Sequence, residues 1–490
     1  MPEPRPVRLR RSPLLGGVAL LVLLAGCTVG PDYERPQTEL PARWSAAPSA
    51  KVADRAAGAP AVTTTSVQPD WWRRFDDPVL TVLVERALAA NEDIQLAAAR
   101  VAEARANLSF TRADRLPSLG AEASASRVRS SGDLTSPTVD RTVNDFRLAS
   151  VLSYEVDLWG RLARSNEAAR AALLSTRAAR DAVRLAVASD TALAYFNLRS
   201  LDEQLAIAER TVTSRSESLD LQQSQFDAGA VTELELRQAQ AELAAAQAQV
   251  PQLRRARDEQ VNALAALLGS SPRAIIEDAM PRGLEIDQLP VPPLRPELQP
   301  AALLERRPDI RDAEQQLRAA NAEIGVARAA YFPTLSLSAL LGLESLELDR
   351  LFSGGAGTWQ LLGNSSAPLF DFGRTEANVR AAEARREQAQ STYRGTVRTA
   401  FREVADAVGA QQTTTERLEA ETRQVQTRRD TLGLARRRYE AGYSSYLEVL
   451  DAQRTLFQSE LDRVDAQRER LAATVDVYKA LGGGWTADAP

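Results

Sequence analysis

Two copies of one unit make up most of this sequence, and this internal repeat restricts the fold more than any other feature. Three pairs of segments match at a separation of 213 residues: Phe226-Asp227-Ala228-Gly229 with Tyr439-Glu440-Ala441-Gly442, Trp159-Gly160-Arg161 with Phe372-Gly373-Arg374, and Leu268-Gly269 with Leu481-Gly482. Upstream, Asp93-Ile94 matches Asp309-Ile310 at a separation of 216. Because insertions and deletions accumulate in loops, the change by three predicts a loop between Pro117 and Gly160. The chain is therefore expected to form one supersecondary unit twice.

Proline placement predicts very long helices. Residues 138–250 and 369–489 contain no proline and are rich in Ala, Leu, Arg, Glu and Gln, which favour helix. The predicted helix ends are Gly160, Gly229, Gly269, Gly373, Gly442 and Gly482. The 69 residues from Gly160 to Gly229 would form about 100 Å of helix at 1.5 Å per residue.

The return helix from Gly229 to Gly269 is too short to match this length. A further helix, Asp93–Leu116 in copy one and Asp309–Phe332 in copy two, is therefore expected to stack on its end. The long helix also carries a stripe of mostly apolar or small residues at alternating steps of four and three, which predicts a left-handed coiled coil. The positions are Val187, Thr191, Ala194, Leu198, Leu201, Leu205, Ala208, Val212, Arg215, Leu219, Gln222 and Phe226.

Between the helices the hydrophobic period changes to two, which is typical of β-strands. One hairpin is predicted at about 117–158 and a second at about 333–371, with loops near Ser130–Asn144 and Glu344–Gly357. Strands of about 10 to 13 residues with one apolar face fit the wall of a transmembrane β-barrel. Taken alone, the strand pattern favours a water-soluble antiparallel sheet over a barrel wall.

Four strands per chain cannot close a barrel, and open edges in a membrane leave backbone groups unsatisfied. Any barrel must therefore be shared among copies of the chain. Two copies give eight strands, whose interior side chains fill, whereas three copies give twelve and leave room for water. A channel thus requires at least a trimer.

The first residues have the pattern of an export signal. Four arginines precede an apolar stretch from Leu14 to Leu24, which is too short to span a bilayer. It leads into Leu24-Ala25-Gly26-Cys27, which resembles a bacterial lipobox. We therefore interpret residues 1–26 as a signal peptide and Cys27 as the lipidation site, with a plain signal peptide as the alternative. Thr28, which is not the Asp of many inner-membrane lipoproteins, points to the outer membrane.

Composition excludes several classes of function. Histidine is absent, so catalysis and metal binding by imidazole are excluded, and the single Cys excludes an internal disulfide or a multi-cysteine zinc site. The net charge is −5, and without basic patches it argues against nucleic acid as a partner. No catalytic motif is present. We expect no enzyme activity, no metal and no cofactor beyond the covalent lipid on Cys27.

With these features together, the chain resembles the TolC-like outer-membrane efflux factors, in the NodT-type lipoprotein branch. The residues that carry the resemblance are Pro31-Asp32-Tyr33 after the lipobox, Trp71-Trp72-Arg73-Arg74-Phe75, Arg306-Arg307-Pro308-Asp309-Ile310, Ala441-Gly442, Tyr446-Leu447 to Arg454, and Tyr478-Lys479-Ala480-Leu481-Gly482-Gly483-Gly484-Trp485. The resemblance implies a mixed α/β membrane protein. A homotrimer would form a 12-stranded β-barrel in the outer membrane above a periplasmic tunnel of long coiled-coil helices.

The resemblance also implies partners and a domain plan. A periplasmic adaptor would link the channel to an inner-membrane pump, usually of the resistance-nodulation-division type, while the barrel contacts outer-membrane lipid. The predicted parts are a lipidated N-terminal segment with equatorial residues at 27–77, a first repeat at 78–288, a Pro-rich linker at 289–300, a second repeat at 301–485 and a tail at 486–490. Because a passive duct receives what the pump delivers, no particular exported compound is predicted.

Two sets of residues are candidate functional sites. The turns at Gly229 and Gly442 need a residue that tolerates positive φ, and the resemblance implies that adaptor helices dock around them; a simple turn is the alternative. Leu447, Asp451 and Arg454 share one helix face by their spacing. The resemblance places a closed periplasmic gate there, with a solvated ion pair as the alternative. In copy one the same positions are Leu234, Gln238 and Ala241, without charge.

The alternative function is that of a periplasmic coiled-coil adaptor or structural lipoprotein. Such adaptors have one helical hairpin inserted into a lipoyl-like β-domain. This chain instead has two equivalent hairpins and amphipathic strands, which disfavours that interpretation.

Overall fold

The structure is a computed structural model that describes residues 28–41, 44, 70–131, 141–292 and 300–483. It divides into two compact units. The sheet unit contains the described parts of Met1–Gln37, Val101–Thr176 and Ala313–Tyr393. The helical unit contains those of Thr38–Arg100, Arg177–Asp312 and Arg394–Pro490. The predicted signal peptide, Cys27, the tail at 486–490 and most of the Pro-rich linker lie outside the described residues.

The strands and the main helices occur in the same order in both copies of the repeat. In copy one they are α1 (Pro78–Ala90), α2 (Glu92–Ala113), β1 (Ser118–Arg129), β2 (Thr142–Val156), α3 (Arg161–Asp227), α4 (Glu233–Leu267) and the short α5 (Pro272–Glu277). In copy two they are the short α6 (Leu303–Arg306), α7 (Pro308–Ala329), β3 (Thr334–Ser345), β4 (Gly357–Ser366), α8 (Arg374–Glu440) and α9 (Tyr446–Ala480). Both long helices have 67 residues and both return helices have 35.

The four strands of the sheet unit form one antiparallel sheet in the order β1-β2-β3-β4. The two hairpins lie within the ranges predicted from the period-two pattern. β1 and β3 are separated by 216 residues, whereas α3 and α8 are separated by 213. The difference in length therefore arises after β1, inside the predicted interval. Among the residues that the structure describes, β1 and β4 each pair on one side only, so this sheet has two open edges.

The register assigns every strand residue to one of two faces, because side chains alternate along each strand. Leu119 pairs with Leu152, Leu148 with Leu343, and Leu341 with Trp359, so these side chains share a face. We call this face the apolar face; its other large members include Phe146, Tyr154, Val156, Leu335, Leu337 and Leu361. The opposite face, which we call the polar face, carries Ser124, Asp145, Arg147, Glu155, Ser336, Ser338, Glu344, Gln360 and Asn364, together with the apolar Val128, Val143, Val151, Leu340 and Leu362.

Helices of the sheet unit pack in equivalent pairs. In copy one, Val101 and Leu108 of α2 pack on Leu173 of α3. In copy two, Ile324 of α7 packs on Val379 of α8. Both α2 and α7 end three residues before the predicted Leu116 and Phe332. The proline at 117 or 333 explains this difference, because the residue before a proline is disfavoured in the helical conformation.

The main core of the helical unit contains a group of aromatic side chains among aliphatic ones. Trp71 and Tyr478 stack with ring centroids 5.2 Å apart, and Phe75 lies 5.0 Å from Phe196. The predicted coiled-coil positions are buried or half-buried along α3, and only Phe226 is an exception at 37% exposure. Among the described residues, no helix combines the length and the apolar character needed to cross a bilayer.

The predicted end-to-end stacking of short helices is present at two equivalent joints. In copy one, the Asn91 side chain caps the start of α2 and donates a hydrogen bond of 3.0 Å to the carbonyl of Leu267 at the end of α4. In copy two, Arg307 precedes α7 and donates a 3.0 Å bond to the carbonyl of Ala480 at the end of α9. A Cβ on Gly269 would overlap the carbonyl oxygen of Ala90, so the first joint also needs glycine for space.

Candidate functional site

Both predicted turns between long and return helices are built around a left-handed glycine. Gly229 has φ 72° and Gly442 has φ 74°. The amides that follow bond back to the helix, with Ala230 N–H donating to the carbonyl of Gln225 and Tyr443 N–H donating to that of Arg438. This bonding satisfies carbonyls that a helix end leaves free. A Cβ at either glycine would meet nothing within 4 Å, so conformation alone requires glycine here.

The return helices begin differently in the two copies. In copy one, Thr232 and Glu235 form a reciprocal capping box at the start of α4. In copy two, Ser445 has Glu448 three residues later, but the Ser445 side chain makes no capping bond. Glu448 instead lies 3.9 Å from Arg438. The turn at Gly442 is therefore held less tightly by its own side chains than the turn at Gly229.

The candidate gate residues lie in the first three turns of α9, and their side chains are exposed. Leu447 is 59% exposed, as is the side chain of Asp451, and that of Arg454 is 67% exposed. Arg454 donates a 2.8 Å hydrogen bond to Asp451. The spacing argument thus places the two charges together, as an ion pair within one chain. Leu234 at the equivalent position of copy one is also exposed.

A groove of about 550 Å³ lies between the two hairpins and is lined on α9 by Tyr446, Val449 and Gln453 rather than by the candidate gate residues. Across it, Gln222 of α3 donates a 3.1 Å bond to the hydroxyl of Tyr439 on α8. The Tyr439 ring lies 5.3 Å from that of Tyr446 on α9, and burial raises the pKa of Tyr446. Sequence reasoning missed this contact between the two copies of the repeat. The available signal was Gln222, a polar residue in the coiled-coil stripe.

The other polar position of the stripe, Arg215, is also buried. Its guanidinium donates a 2.7 Å bond to the carbonyl of Glu242 and lies 3.0 Å from the Glu242 carboxylate. It also stands 5.7 Å from the centre of the Phe457 ring. Burial lowers the pKa of Arg215. The coiled-coil stripe can contain a buried cation at this position because Glu242 of α4 and Phe457 of α9 interact with the guanidinium.

Sequence reasoning predicted no structural partners for the first described residues, 28–37, which we call the N-terminal strap. Arg35 makes two bonds, of 3.0 and 2.8 Å, to the buried carboxylate of Glu314 on α7. Asp32 accepts a 2.7 Å bond from Arg164 on α3. The strap therefore joins helices of both copies inside the sheet unit. The signal for it was the Pro31-Asp32-Tyr33 motif.

Glu314 is ionised in this network. Burial alone would raise its pKa, but hydrogen bonds from Arg35 and Arg318 outweigh burial and hold the pKa of Glu314 below its ordinary value. Burial and the nearby Glu314 raise the pKa of Tyr33 to about 12. A carboxylate with a depressed pKa stabilises the docked strap above its ordinary pKa of about 4.3, and this contribution is lost as the pH falls below that value.

We therefore expect Glu314→Gln to release the strap at pH 7, while the wild-type strap is released only in acid. Hydrogen exchange of peptides from residues 28–37, corrected for the intrinsic rate at each pH, measures this. Glu323→Gln is the matched control, because Glu323 is an exposed carboxylate on the same helix. Equal protection in Glu314→Gln and wild type at pH 7 would contradict the assignment.

Comparison with known proteins places the chain in a well-populated group. A family model described as outer membrane efflux protein matches residues 83–270 and 300–483. The solvent efflux pump outer membrane protein SrpC of Pseudomonas putida is 38% identical over 467 residues, which cover 95% of this chain and 97% of SrpC. The probable outer membrane lipoprotein SilC of Salmonella typhimurium is 34% identical, with 96% and 98% covered. The crystal structure of the Campylobacter jejuni CmeC outer membrane channel aligns with a TM-score of 0.86 at 28% identity, over 95% of this chain and 96% of that one.

Proposed function

This chain belongs to the outer membrane efflux protein family, and from that membership we propose that three copies form the exit duct of a tripartite efflux system. It is an efflux channel of the outer membrane. In the proposed assembly the energy for transport comes from an inner-membrane pump, and the duct provides a continuous aqueous path. No step in such a role requires catalysis.

One observation carries the proposal of a shared barrel: a four-stranded sheet with two open edges and two chemically opposite faces. Four large residues of the apolar face, Leu119, Leu341, Trp359 and Leu361, are between 70% and 76% exposed. An apolar patch of this kind is rare on a protein surrounded by water. If β1 of one chain pairs with β4 of the next chain, three chains give twelve strands. The apolar face then lies in lipid and the polar face surrounds water.

Aromatic residues support a membrane interface at the helix-bearing end of the strands. Trp159, after β2, and Phe332, before β3, stack with centroids 4.5 Å apart. Phe370 and Phe372 follow β4 as another pair at 4.5 Å, and both are highly exposed. Aromatic side chains in this position mark the boundary between lipid and water in barrel proteins.

The predicted lipid on Cys27 fits the same boundary. Thr28, the next residue, packs against Gly160 at the junction of β2 and α3, and the N-terminal strap fixes the chain that follows. A lipid on Cys27 would therefore enter the membrane beside the aromatic pairs. The relative SilC is named as a lipoprotein.

The turns at Gly229 and Gly442 are the proposed contact sites for a periplasmic adaptor. They join the long and return helices, so they lie at the ends of both hairpins, and exposed Leu234, Tyr443 and Leu447 surround them. In the closed trimer, three copies of Leu447, Asp451 and Arg454 would meet near the axis as the periplasmic gate. The alternative, a coiled-coil adaptor, receives no support from the family assignment.

Electron microscopy and native mass spectrometry of the detergent-purified protein test the proposal. We expect particles of three copies with a hollow barrel continuous with a long helical tunnel. A monomer in both measurements, or a particle whose sheet is covered by protein rather than by detergent, would contradict it.

A further inference from the structure

The apolar face of the sheet carries two charged side chains. Arg127 and Arg129 of β1 alternate in phase with Leu119, so they lie on the apolar face. Within the four described strands, the other residues of this face are uncharged. The polar face, by contrast, carries Glu122, Asp145, Arg147, Glu155 and Glu344.

Both arginines lie where the apolar rows stop. Ala125 pairs with Phe146, which is the last apolar row, and the next positions pair Arg127 with Asn144 and Arg129 with Thr142. These rows adjoin the β1–β2 loop, at the end of the strands opposite the helices. At about 3.3 Å per residue the two Cα atoms are roughly 7 Å apart, close enough for both guanidinium groups to reach one headgroup.

The two guanidinium groups have no carboxylate partner among the described residues, and both side chains are exposed. Arg147 of β2 differs, because it faces the polar side and lies 3.2 Å from Glu344 on the next strand. The sheet therefore pairs the cation on its polar face and leaves unpaired the two that face the surroundings. With no partner among the described residues and both side chains exposed, the two guanidinium groups are free to bind an anion from outside the chain.

We propose that Arg127 and Arg129 bind the phosphate groups of a phosphorylated lipid in the outer leaflet of the membrane. The inference rests on the proposed function, which puts the apolar face in lipid and the loop end of the strands outward. The guanidinium fork makes paired hydrogen bonds with phosphate oxygens. Arginine is costly on a lipid-facing barrel surface near the midplane and tolerated at the interface, which is where these rows end.

Native mass spectrometry of the full-length protein with added diphosphorylated lipid A tests the site. We expect wild type to retain this lipid about tenfold more tightly than the same lipid with its phosphates removed, as expected for several charge-assisted bonds. The double variant Arg127→Gln/Arg129→Gln should lose this preference. Arg127→Lys/Arg129→Lys should restore part of it, because the charge returns without the fork.

The control is Arg147→Gln, which removes one positive charge from the opposite face of the same sheet. This variant should keep the preference for the phosphorylated lipid. Equal binding of phosphorylated and dephosphorylated lipid by wild type would overturn the inference, as would an equal loss in Arg147→Gln. A double variant that falls apart into monomers while retaining the lipid would assign the arginines to the subunit contact instead. The same spectrum gives the number of copies, so a failure of the proposed trimer is seen separately.

Discussion

Replacing Asp451 with alanine is expected to raise the ion conductance of the reconstituted channel several-fold. In one chain Asp451 pairs with Arg454 at 2.8 Å, and both side chains are more than half exposed. Such a pair contributes little to the stability of a single chain, so the variant should fold. In the proposed trimer, removal of three carboxylates leaves three Arg454 cations close to one another, and their repulsion favours a wider opening.

Single-channel recording in planar bilayers measures this effect. Gln238→Ala is the matched control, since Gln238 occupies the equivalent position in copy one and carries no charge. We expect its conductance to equal that of wild type. If Asp451→Ala also conducts like wild type, the Asp451–Arg454 pair is a solvated surface feature and the gate assignment is wrong.

Replacing Arg307 with alanine is expected to cause the largest loss of stability in the helical unit. The buried guanidinium bonds to Asp309, to Glu403 on α8 and to the carbonyl of Ala480 at the end of α9. Removing one member of a buried ionic network costs about 3 to 5 kcal/mol. The low end applies here, because Asp309 and Glu403 are partly exposed and solvent screens them.

Thermal unfolding followed by circular dichroism measures the loss as a lower midpoint. Arg306→Ala serves as the control, because Arg306 is the adjacent arginine and its Nη1 makes no hydrogen bond within the described residues. Asn91→Ala, at the equivalent joint of copy one, should cost less, since Asn91 donates one neutral bond across its joint. A midpoint for Arg307→Ala equal to that for Arg306→Ala would refute the structural role of Arg307.

Sequence patterns were sufficient for local structure because the causes are local. The six glycines predicted as helix ends all have positive φ, and the period-two segments are strands. Hydrogen bonds between residues far apart in the sequence could not be predicted from such patterns. Asn91 is recognisable as a helix cap, but its second partner, the carbonyl of Leu267, is 176 residues away in the chain. The bond from Gln222 to Tyr439 likewise depends on how two hairpins pack.

For the candidate site, too, the sequence predicted the local contacts but not the contacts between distant segments. Spacing placed Asp451 and Arg454 on one helix face, and the structure brings them into contact. The strap bond between Arg35 and Glu314 joins residues 279 positions apart, so no pattern within a helix or strand could indicate it. The two arginines on the apolar face became recognisable only when the register fixed which side of β1 they occupy.

The two helix joints make the repeat mechanically unequal. Asn91 fastens one joint with a neutral amide, whereas Arg307 fastens the other with a cation that also holds α8 through Glu403. The first joint is therefore the more compliant hinge and the second the stiffer one. A ring of three chains would alternate soft and stiff hinges around its circumference, so a bending motion of its walls would have threefold symmetry although the ring contains six such joints.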